Sequence, residues 1–287
     1  MKNEIKLGII LMILATLCFG IMDGVSRYLA EEYNVFIINM YRSWVLVLFV
    51  LIYSIKKGGI KHVSSTKKPL IQIIRGILLI SCVCIGVHSF TVLGLVAAHT
   101  IIAIYPLLVL PLSYYFSNEK IGWRRWSAVF IGFFGIMVIL NPISMSFDFN
   151  MIWPLILACL LAIYSILTRN ISAYDNSETS FFWVAIVGGV VMTIIGPFFF
   201  ELLVLKDIPW FLFLCFLSTC GHFLFIKALE TAQASILQPF IYLQLFFASI
   251  IGILVFNDLL TLNLIFGGIL IVGSGIFALI RTHNVQN

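Results

Sequence analysis

Ionisable side chains that interrupt long apolar stretches are the first candidates for chemistry in this chain. Asp23 is the only acid well inside such a stretch, Arg27 lies near the end of the same stretch, and Arg42 and Arg75 lie within or at the ends of others. A carboxylate in apolar surroundings could carry a proton or pair with a cationic solute. An arginine fork could bind a carboxylate or phosphate, or could act as a gate or charge partner. The structural alternatives are an ion pair of Asp23 with Arg27 or Arg42, and arginines that extend to a membrane surface.

Two histidines occupy matching positions in two similar parts of the chain. His88 is followed by leucine and then alanine at intervals of seven and three residues, and so is His222. Imidazole can donate, accept or change charge near neutral pH, so both histidines are predicted to contact substrate or a proton. The alternative is an ordinary hydrogen-bond partner inside the protein. His99 lies nearer a predicted membrane surface and is a weaker candidate. A metal site would need further ligands at suitable spacing, and the sequence shows none.

Tyrosines and glutamines beside prolines form a third group of candidates. Tyr105 precedes Pro106, and Gln238 precedes Pro239. Proline removes a backbone hydrogen bond and can break a helix, which exposes backbone to a cavity. Aromatic rings and amides at such breaks suit a planar or amphipathic solute. The alternative is helix packing, in which these side chains bond a neighbouring helix. The remaining predicted substrate contacts are Tyr164 and Tyr242.

The elements that must position these residues are membrane-spanning helices. Of the 287 residues, 62% are hydrophobic and only 10% are charged, whereas a soluble domain has about 25% charged residues. The apolar runs have the length of spanning helices, and all six cysteines lie inside them as packing residues. The sequence therefore predicts an all-α integral membrane protein with ten transmembrane helices, at approximately Leu7–Leu29, Val35–Ile55, Pro69–Val92, Val96–Phe116, Trp123–Leu140, Met151–Thr168, Thr179–Phe199, Ile208–Ala228, Ala232–Phe256 and Leu260–Ile280.

The basic residues predict an orientation for these helices. Most loop lysines and arginines fall on the side of the two termini, and the opposite side has one clear loop lysine, Lys206. Because positive loops remain in the cytoplasm, both termini are predicted to be cytoplasmic. The first apolar run is too long for a signal peptide and is predicted to be a retained helix.

The chain also shows a weak internal repeat. Ser26-Arg27 is answered by Thr168-Arg169, and Glu119 is answered by Asp258. A unit of five helices that occurs twice must enter the membrane in opposite senses, as in many secondary transporters. The predicted division is 1–145 for the first five-helix repeat and 146–287 for the second.

Several motifs resemble those of the EamA-type branch of the drug/metabolite transporter superfamily. They are the run from Glu119 to Trp126 with its following glycines, Arg42, Arg75-Gly76, Tyr105-Pro106, and Gln238-Pro239-Phe240 with Tyr242. The resemblance implies two inverted five-helix repeats and a central cavity lined mainly by helices 1, 3, 4, 6, 8 and 9. It also implies secondary transport of small organic molecules across a bacterial inner membrane. The second elbow departs from the family pattern, because Asn257-Asp258 stands where a glutamate is common.

The predicted function is secondary transport of a small organic metabolite by alternating access. Amino acids, nucleosides and vitamins such as riboflavin are the first solutes to test, and uptake of S-adenosylmethionine is the alternative. The chain has no GxxxxGK[ST] loop, so ATP is not expected to drive transport directly. A membrane-embedded enzyme on lipid-linked substrates would need clustered catalytic residues, and the polar residues here are scattered. No enzyme activity, cofactor or nucleic-acid partner is expected. The predicted partners are the solute and the lipid bilayer, and glycines in the last helix of each half could form a homodimer face.

Overall fold

The computed structural model of the protein describes residues 2–56, 58–117, 123–140, 148–232 and 234–280. Within these ranges the regular structure is entirely helical, with three short 3-10 turns and no strand. The α-helices are α1 (Lys2–Leu29), α2 (Val35–Lys56), α3 (Ile60–Ser64), α4 (Pro69–Leu93), α5 (Leu95–Ile102), α6 (Tyr105–Ser117), α7 (Trp123–Leu140), α8 (Ile152–Ile171), α9 (Ser177–Ile195), α10 (Ile208–Thr231), α11 (Ala234–Phe256) and α12 (Leu262–Ile280).

The helices have the length and surface of a multi-pass membrane protein. Seven helical stretches of the described chain are long and apolar enough to cross a membrane, and three further apolar stretches are shorter. Large apolar side chains face outward, as Phe130, Phe133 and Phe134 do on α7. Such a surface is stable against lipid and not against water. Each predicted spanning stretch falls on one of these helices or, for the fourth, on two, and the count of ten spans remains a prediction.

The fourth predicted helix is broken into α5 and α6. Ala103 and Ile104 form a turn between the two helices, immediately before Tyr105 and Pro106. Proline has no backbone N–H to continue the ladder of α5, which is why the helix ends there. The predicted break at Pro106 is therefore confirmed. The break expected at Pro239 is not present, because α11 runs without interruption from Ala234 to Phe256 and the proline lies near its start.

The helices of the two parts of the chain interleave around one centre. The first helix, α1, packs against α10 and α11, while α4 packs against α8 and α9. At the periphery α2 packs against α9, and α7 packs against α12. Side chains from early and late in the chain therefore meet at the centre, where Asp23, Arg42 and His222 are buried.

The loop between α1 and α2 is fixed to the segment before α10. The hydroxyl of Tyr33 donates to a carboxylate oxygen of Asp207 at 2.9 Å and accepts from the backbone N–H of Val204 at 3.0 Å. Burial raises the pKa of the Tyr33 hydroxyl, which keeps it protonated as a donor. The two parts of the chain are thus also joined outside the spanning segments.

Glycines allow α7 and α12 to approach each other closely. A Cβ atom at Gly267 would lie 2.7 Å from the carbonyl oxygen of Gly135, and one at Gly135 would lie 2.9 Å from the carbonyl oxygen of Gly267. The two backbones are therefore in direct contact, as small residues permit between membrane helices. Gly135 and Gly267 therefore form a contact between two helices of the same chain.

We expect Gly267→Ala to destabilise the protein by about 1–3 kcal/mol, because the new methyl group overlaps a backbone atom that cannot rotate away. The thermal unfolding of the purified protein, followed by tryptophan fluorescence in detergent micelles, measures the effect. Gly273→Ala on the same helix is the matched control, since nothing lies within 4 Å of its added Cβ. Equal loss of stability in both variants would contradict the close contact.

Candidate functional site

A cavity of about 100 Å³ lies at the centre of the helices. It is lined by α1, α4, α5, α6, α8, α10 and α11, the helices that the family resemblance implies, and also by α2. Ligand sites for drug-sized molecules typically measure about 300–1,000 Å³. The cavity is smaller than this, so helices or side chains must move before an organic solute of that size fits.

Asp23 projects from α1 into this cavity and is buried. Its Oδ2 accepts a hydrogen bond from Nε2 of Gln244 at 2.9 Å and lies 3.2 Å from Nε2 of His99. The sequence allowed an ion pair between Asp23 and Arg27. This pair is not formed, because Arg27, near the end of α1, pairs with Asp258 instead. Asp23 is therefore an acid in the cavity whose neighbours come from α5 and α11.

His99 is the site residue that the sequence underrated. Its position close to the end of a predicted helix suggested the membrane surface, but the side chain is buried and lines the cavity. Its ring stacks on Phe90 with centroids 4.8 Å apart. Nε2 makes no hydrogen bond within the described part of the structure. The only hint in the sequence that His99 belongs to the site is that a buried Asp23 needs a partner, for which Arg27 is not the only candidate.

Arg42 forms the basic part of the cavity. Its Nε donates to Oγ of Ser218 at 2.6 Å, and its Nη2 lies 3.1 Å from Nε2 of His222. A guanidinium has donors only, so this contact requires His222 to be a neutral imidazole with Nε2 as the acceptor. The interpretation that Arg42 extends to the membrane surface is wrong, because the residue is buried in the protein. Arg42 and Asp23 line the same cavity.

Aromatic side chains form much of the remaining wall. Tyr105 and Tyr164 line the cavity, and the ring of Tyr164 stacks on Phe225 with centroids 6.2 Å apart. Phe19 contacts His222 with ring centroids 5.0 Å apart. The Tyr164 hydroxyl is buried without a hydrogen bond among the described residues. An unpaired buried polar group costs about 1–3 kcal/mol, and a bound solute or water can supply the missing partner.

Three predicted substrate contacts lie elsewhere or outside the described residues. His88 does not line the cavity and instead packs edge-on against Trp153, with ring centroids 5.2 Å apart. Tyr242 lines a small adjoining cavity together with His99, Tyr105 and Gln244. The side chain of Gln238 lies outside the described part of the structure. His88 and His222 thus occupy matching positions in the sequence, but only His222 lines the cavity.

An ion pair joins the end of α1 to Asp258, which follows α11. Nη1 of Arg27 lies 2.6 Å from Oδ1 of Asp258, and both side chains are largely buried. Oδ2 of the same carboxylate accepts hydrogen bonds from the backbone N–H groups of Leu95 at 2.7 Å and Val96 at 3.2 Å. One carboxylate therefore pairs with α1 and caps the first turn of α5, where negative charge is favourable. We refer to Arg27, Asp258 and the start of α5 as the Asp258 latch.

A second polar network centres on Arg75 of α4. Arg75 is fully buried, donates to Oγ1 of Thr168 at 3.0 Å and to the side-chain oxygen of Gln72, and lies over the ring of Tyr164. Gln72 in turn donates to Asp175 at 2.8 Å. The interpretation that Arg75 extends to the membrane surface is wrong. The network joins α4, α8 and the loop before α9 at the level where the cavity ends.

The chemistry of the cavity suits binding and not bond making. The cavity is surrounded by the carboxylate of Asp23, the guanidinium of Arg42, two histidines and several aromatic rings. Among the described residues that line it, no nucleophile lies beside a general base. Among the described residues, no group of three His, Cys, Asp or Glu side chains is arranged to hold a metal ion. The cavity wall thus combines groups of opposite charge with flat aromatic rings.

Comparison with known proteins gives a consistent picture. The sequence profile of the EamA-like transporter family matches residues 6–141 and again residues 149–280. The S-adenosylmethionine uptake transporter of Rickettsia bellii is 25% identical over 276 residues, which cover 95% of this chain and 93% of the relative. The riboflavin transporter of Vibrio cholerae is 25% identical over 268 residues, which cover 89% of this chain and 87% of the relative. A solved structure shares the fold, with a TM-score of 0.70, 12% identity and coverage of 98% of this chain and 99% of that one.

Proposed function

The chain belongs to the EamA-like transporter family, and from that premise we propose that it carries a zwitterionic organic solute in the central cavity by alternating access. Transport of a small metabolite, not catalysis, is the activity of this family and of the named relatives. The protein is accordingly a multi-pass membrane transporter of the bacterial inner membrane. We further propose which solute is carried, which residues bind it and how the helices are arranged in the membrane.

The observation that carries the proposal is the placement of opposite fixed charges around one apolar cavity. Asp23 offers a carboxylate to a cationic group, and Arg42 offers donors to an anionic group. Phe19, Phe90 and Phe225 provide flat apolar surface between them. A buried charge without a partner is costly, so each is expected to select solutes that bring the opposite charge.

S-adenosylmethionine is the first solute that this chemistry favours. It has a sulfonium and an ammonium group for Asp23, a carboxylate for Arg42, and an adenine ring for the aromatic wall. Relatives at 25% identity are named as uptake transporters for it. Riboflavin is the second candidate, because its neutral ring system suits Tyr105 and Tyr164 and a relative is named for its transport. It has no cationic group to compensate Asp23.

We propose that the chain consists of two inverted repeats of five spanning helices. Helices α1, α2, α4, α5–α6 and α7 of the first repeat correspond in order to α8, α9, α10, α11 and α12 of the second. The packing supports this, because α1 contacts α10 and its counterpart α8 contacts α4. Likewise α2, α5 and α7 each contact their own counterparts, α9, α11 and α12. The two matches to the family profile, at 6–141 and 149–280, support the same division.

The two closures are the elements that alternating access requires to open in turn. The Asp258 latch closes one end of the cavity, and the network of Arg75, Gln72 and Asp175 closes the other. Both are formed in the structure, which agrees with a cavity too small for an organic solute. The bias of basic loop residues supports cytoplasmic termini, which puts the Arg75 network on the cytoplasmic side. Gly135 and Gly267 pack against each other within the chain, so these two glycines do not offer a homodimer face.

We expect Asp23→Asn to weaken binding of S-adenosylmethionine about 10- to 100-fold, the loss of one charge-assisted contact. Purified protein in proteoliposomes, with radiolabelled solute in a counterflow assay, measures uptake, and a thermal-shift titration measures binding. Asp148→Asn is the control, because this half-buried acid caps a 3-10 turn and does not line the cavity. Binding that survives Asp23→Asn unchanged would refute the role of Asp23. Preference for riboflavin with no response to S-adenosylmethionine would favour the second solute.

A further inference from the structure

Asp23 has two close neighbours in the cavity, Gln244 and His99. Its Oδ2 already accepts a hydrogen bond from Gln244, and His99 lies 3.2 Å away. The side chains of His99 and Asp23 are 4% and 6% exposed. A carboxylate this deeply buried requires a compensating charge when no solute is present. Arg27 pairs with Asp258, and the guanidinium of Arg42 is directed to Ser218 and His222, with no hydrogen bond to Asp23 among the described residues.

His99 is the group that can provide this charge and also withdraw it. Imidazole is the side chain whose charge changes in the physiological pH range. Nε2 of His99 is buried, without a hydrogen bond among the described residues, and is at ion-pair distance from the acid. His222 cannot serve in the same way, because its Nε2 must stay unprotonated to accept from Arg42.

We propose that Asp23 and His99 form a proton-binding site, and that the cationic group of the solute and the proton on His99 compete for the Asp23 carboxylate. In the empty carrier the His99 imidazolium is the counter-ion of Asp23. When the solute binds, its cation takes that place, Nε2 of His99 releases its proton to water, and the imidazole becomes neutral. Asp23 stays ionised throughout, so one positive charge leaves the cavity as one enters. This inference rests on the proposed function, because it requires a cationic solute.

The other groups around the pair are compatible with this exchange. Asp258 and Arg27 neutralise each other at the start of α5, and α12, which also packs on α5, has no titratable residue in its described range. The remaining titratable or charged groups that face the cavity are Arg42 from α2, Cys82 from α4, Tyr105 from α6, Tyr164 from α8, His222 from α10 and, in the adjoining cavity, Tyr242 from α11. Among these, Arg42 opposes a second positive charge, which favours release of the proton when a cation enters.

The proton site can be tested without any solute. The protein has five histidines, and labelling them with ¹⁵N gives signals that report the charge of each ring. The signal of His99 is identified by its absence in His99→Gln. At pH 6 we expect an imidazolium at this position in the wild type and a neutral ring in Asp23→Asn. An identical His99 signal in both proteins would show that the pair does not form, and would overturn the proposal.

The competition is tested with S-adenosylmethionine as the probe in weakly buffered solution. We expect about one proton released for each molecule bound at pH 6 and none at pH 8.5, with affinity falling about tenfold for each pH unit on the acid side. His99→Gln should bind without releasing a proton and without this pH dependence. His62→Gln, an exposed histidine on α3, is the control and should release the proton as the wild type does.

The outcomes separate the two proposals. Binding of S-adenosylmethionine without proton release, or equal release from His99→Gln, would overturn the competition while the transport function stands. Failure of this solute to bind, with the charged His99 signal present at pH 6, would overturn the choice of solute and leave the proton site supported. A variant that loses its fold is recognised by its thermal unfolding and replaced by His99→Asn.

Discussion

Asp258→Ala is expected to destabilise the protein by about 3 kcal/mol and to lower its melting temperature by roughly 5–10 °C. The change removes both the partner of Arg27 and the oxygen that accepts two hydrogen bonds at the start of α5. Arg27 would keep its contact with the ring of Phe256, whose centroid lies 4.2 Å from its guanidinium carbon, but would lose its only anionic partner in the described structure. The measurement is thermal unfolding in detergent micelles, followed by tryptophan fluorescence.

Asp258→Asn separates the two contributions of this carboxylate. The amide oxygen can still accept from the N–H groups of Leu95 and Val96, but the charge opposite Arg27 is lost. A double-mutant cycle with Arg27→Gln gives the coupling energy, which we expect to be about 1–3 kcal/mol. Additive effects of the two substitutions would contradict an ion pair that closes this end.

Opening of the same end should also be visible as access to the cavity. Cys82 lines the cavity and is buried. In a background that keeps only this cysteine, we expect a water-soluble maleimide to label Asp258→Ala faster than the unsubstituted protein. Unchanged labelling, together with the loss of stability, would mean that Asp258 stabilises α5 without closing the cavity.

Arg42→Lys is expected to reduce transport of the bound solute about 10- to 100-fold, although the charge is kept. The arginine uses two different nitrogens, Nε for Ser218 and Nη2 for His222. A single ammonium group cannot reproduce that fork at the same two acceptors, so at least one buried group loses its partner, at about 1–3 kcal/mol. Counterflow in proteoliposomes with S-adenosylmethionine measures the loss, and Arg42→Met should lose still more.

Arg169→Lys is the matched control for this substitution. Arg169 lies outside the cavity and donates through one nitrogen to the backbone carbonyls of Leu229 and Glu230. A lysine can make such contacts, so transport should remain close to that of the wild type. If both lysine variants lost activity equally, the loss would reflect general disturbance of the helices and not the fork of Arg42.

The sequence was sufficient to predict the class of fold and the approximate position of the helices, because apolar length and the rarity of charge are local properties. It also predicted the break at Pro106, since proline affects its own helix. The sequence singled out several residues that line the cavity, because polar residues are costly in such stretches. They are Asp23, Arg42, Tyr105, Tyr164 and His222.

The partners of these residues could not be predicted in the same way. Arg27 is four residues from Asp23 on the same helix, yet it pairs with Asp258, 231 residues away. His99 appeared to lie near a surface because it is close to the start of its predicted helix, and His88 appeared equivalent to His222 because their spacings agree. Which side chains meet depends on how α1, α5 and α11 cross, and that is a property of long-range packing.

The break after α5 has a mechanical consequence. Leu95 and His99 lie on the same short helix, one turn apart, with the turn at Ala103–Ile104 as a pivot at its far end. A tilt of this rigid lever that withdraws Leu95 from Asp258 also displaces His99 relative to Asp23. Tyr105 begins the next helix, beyond the pivot, and need not follow. Helix α5 therefore couples the contacts of Asp23 inside the cavity to the contact between Leu95 and Asp258 at its edge.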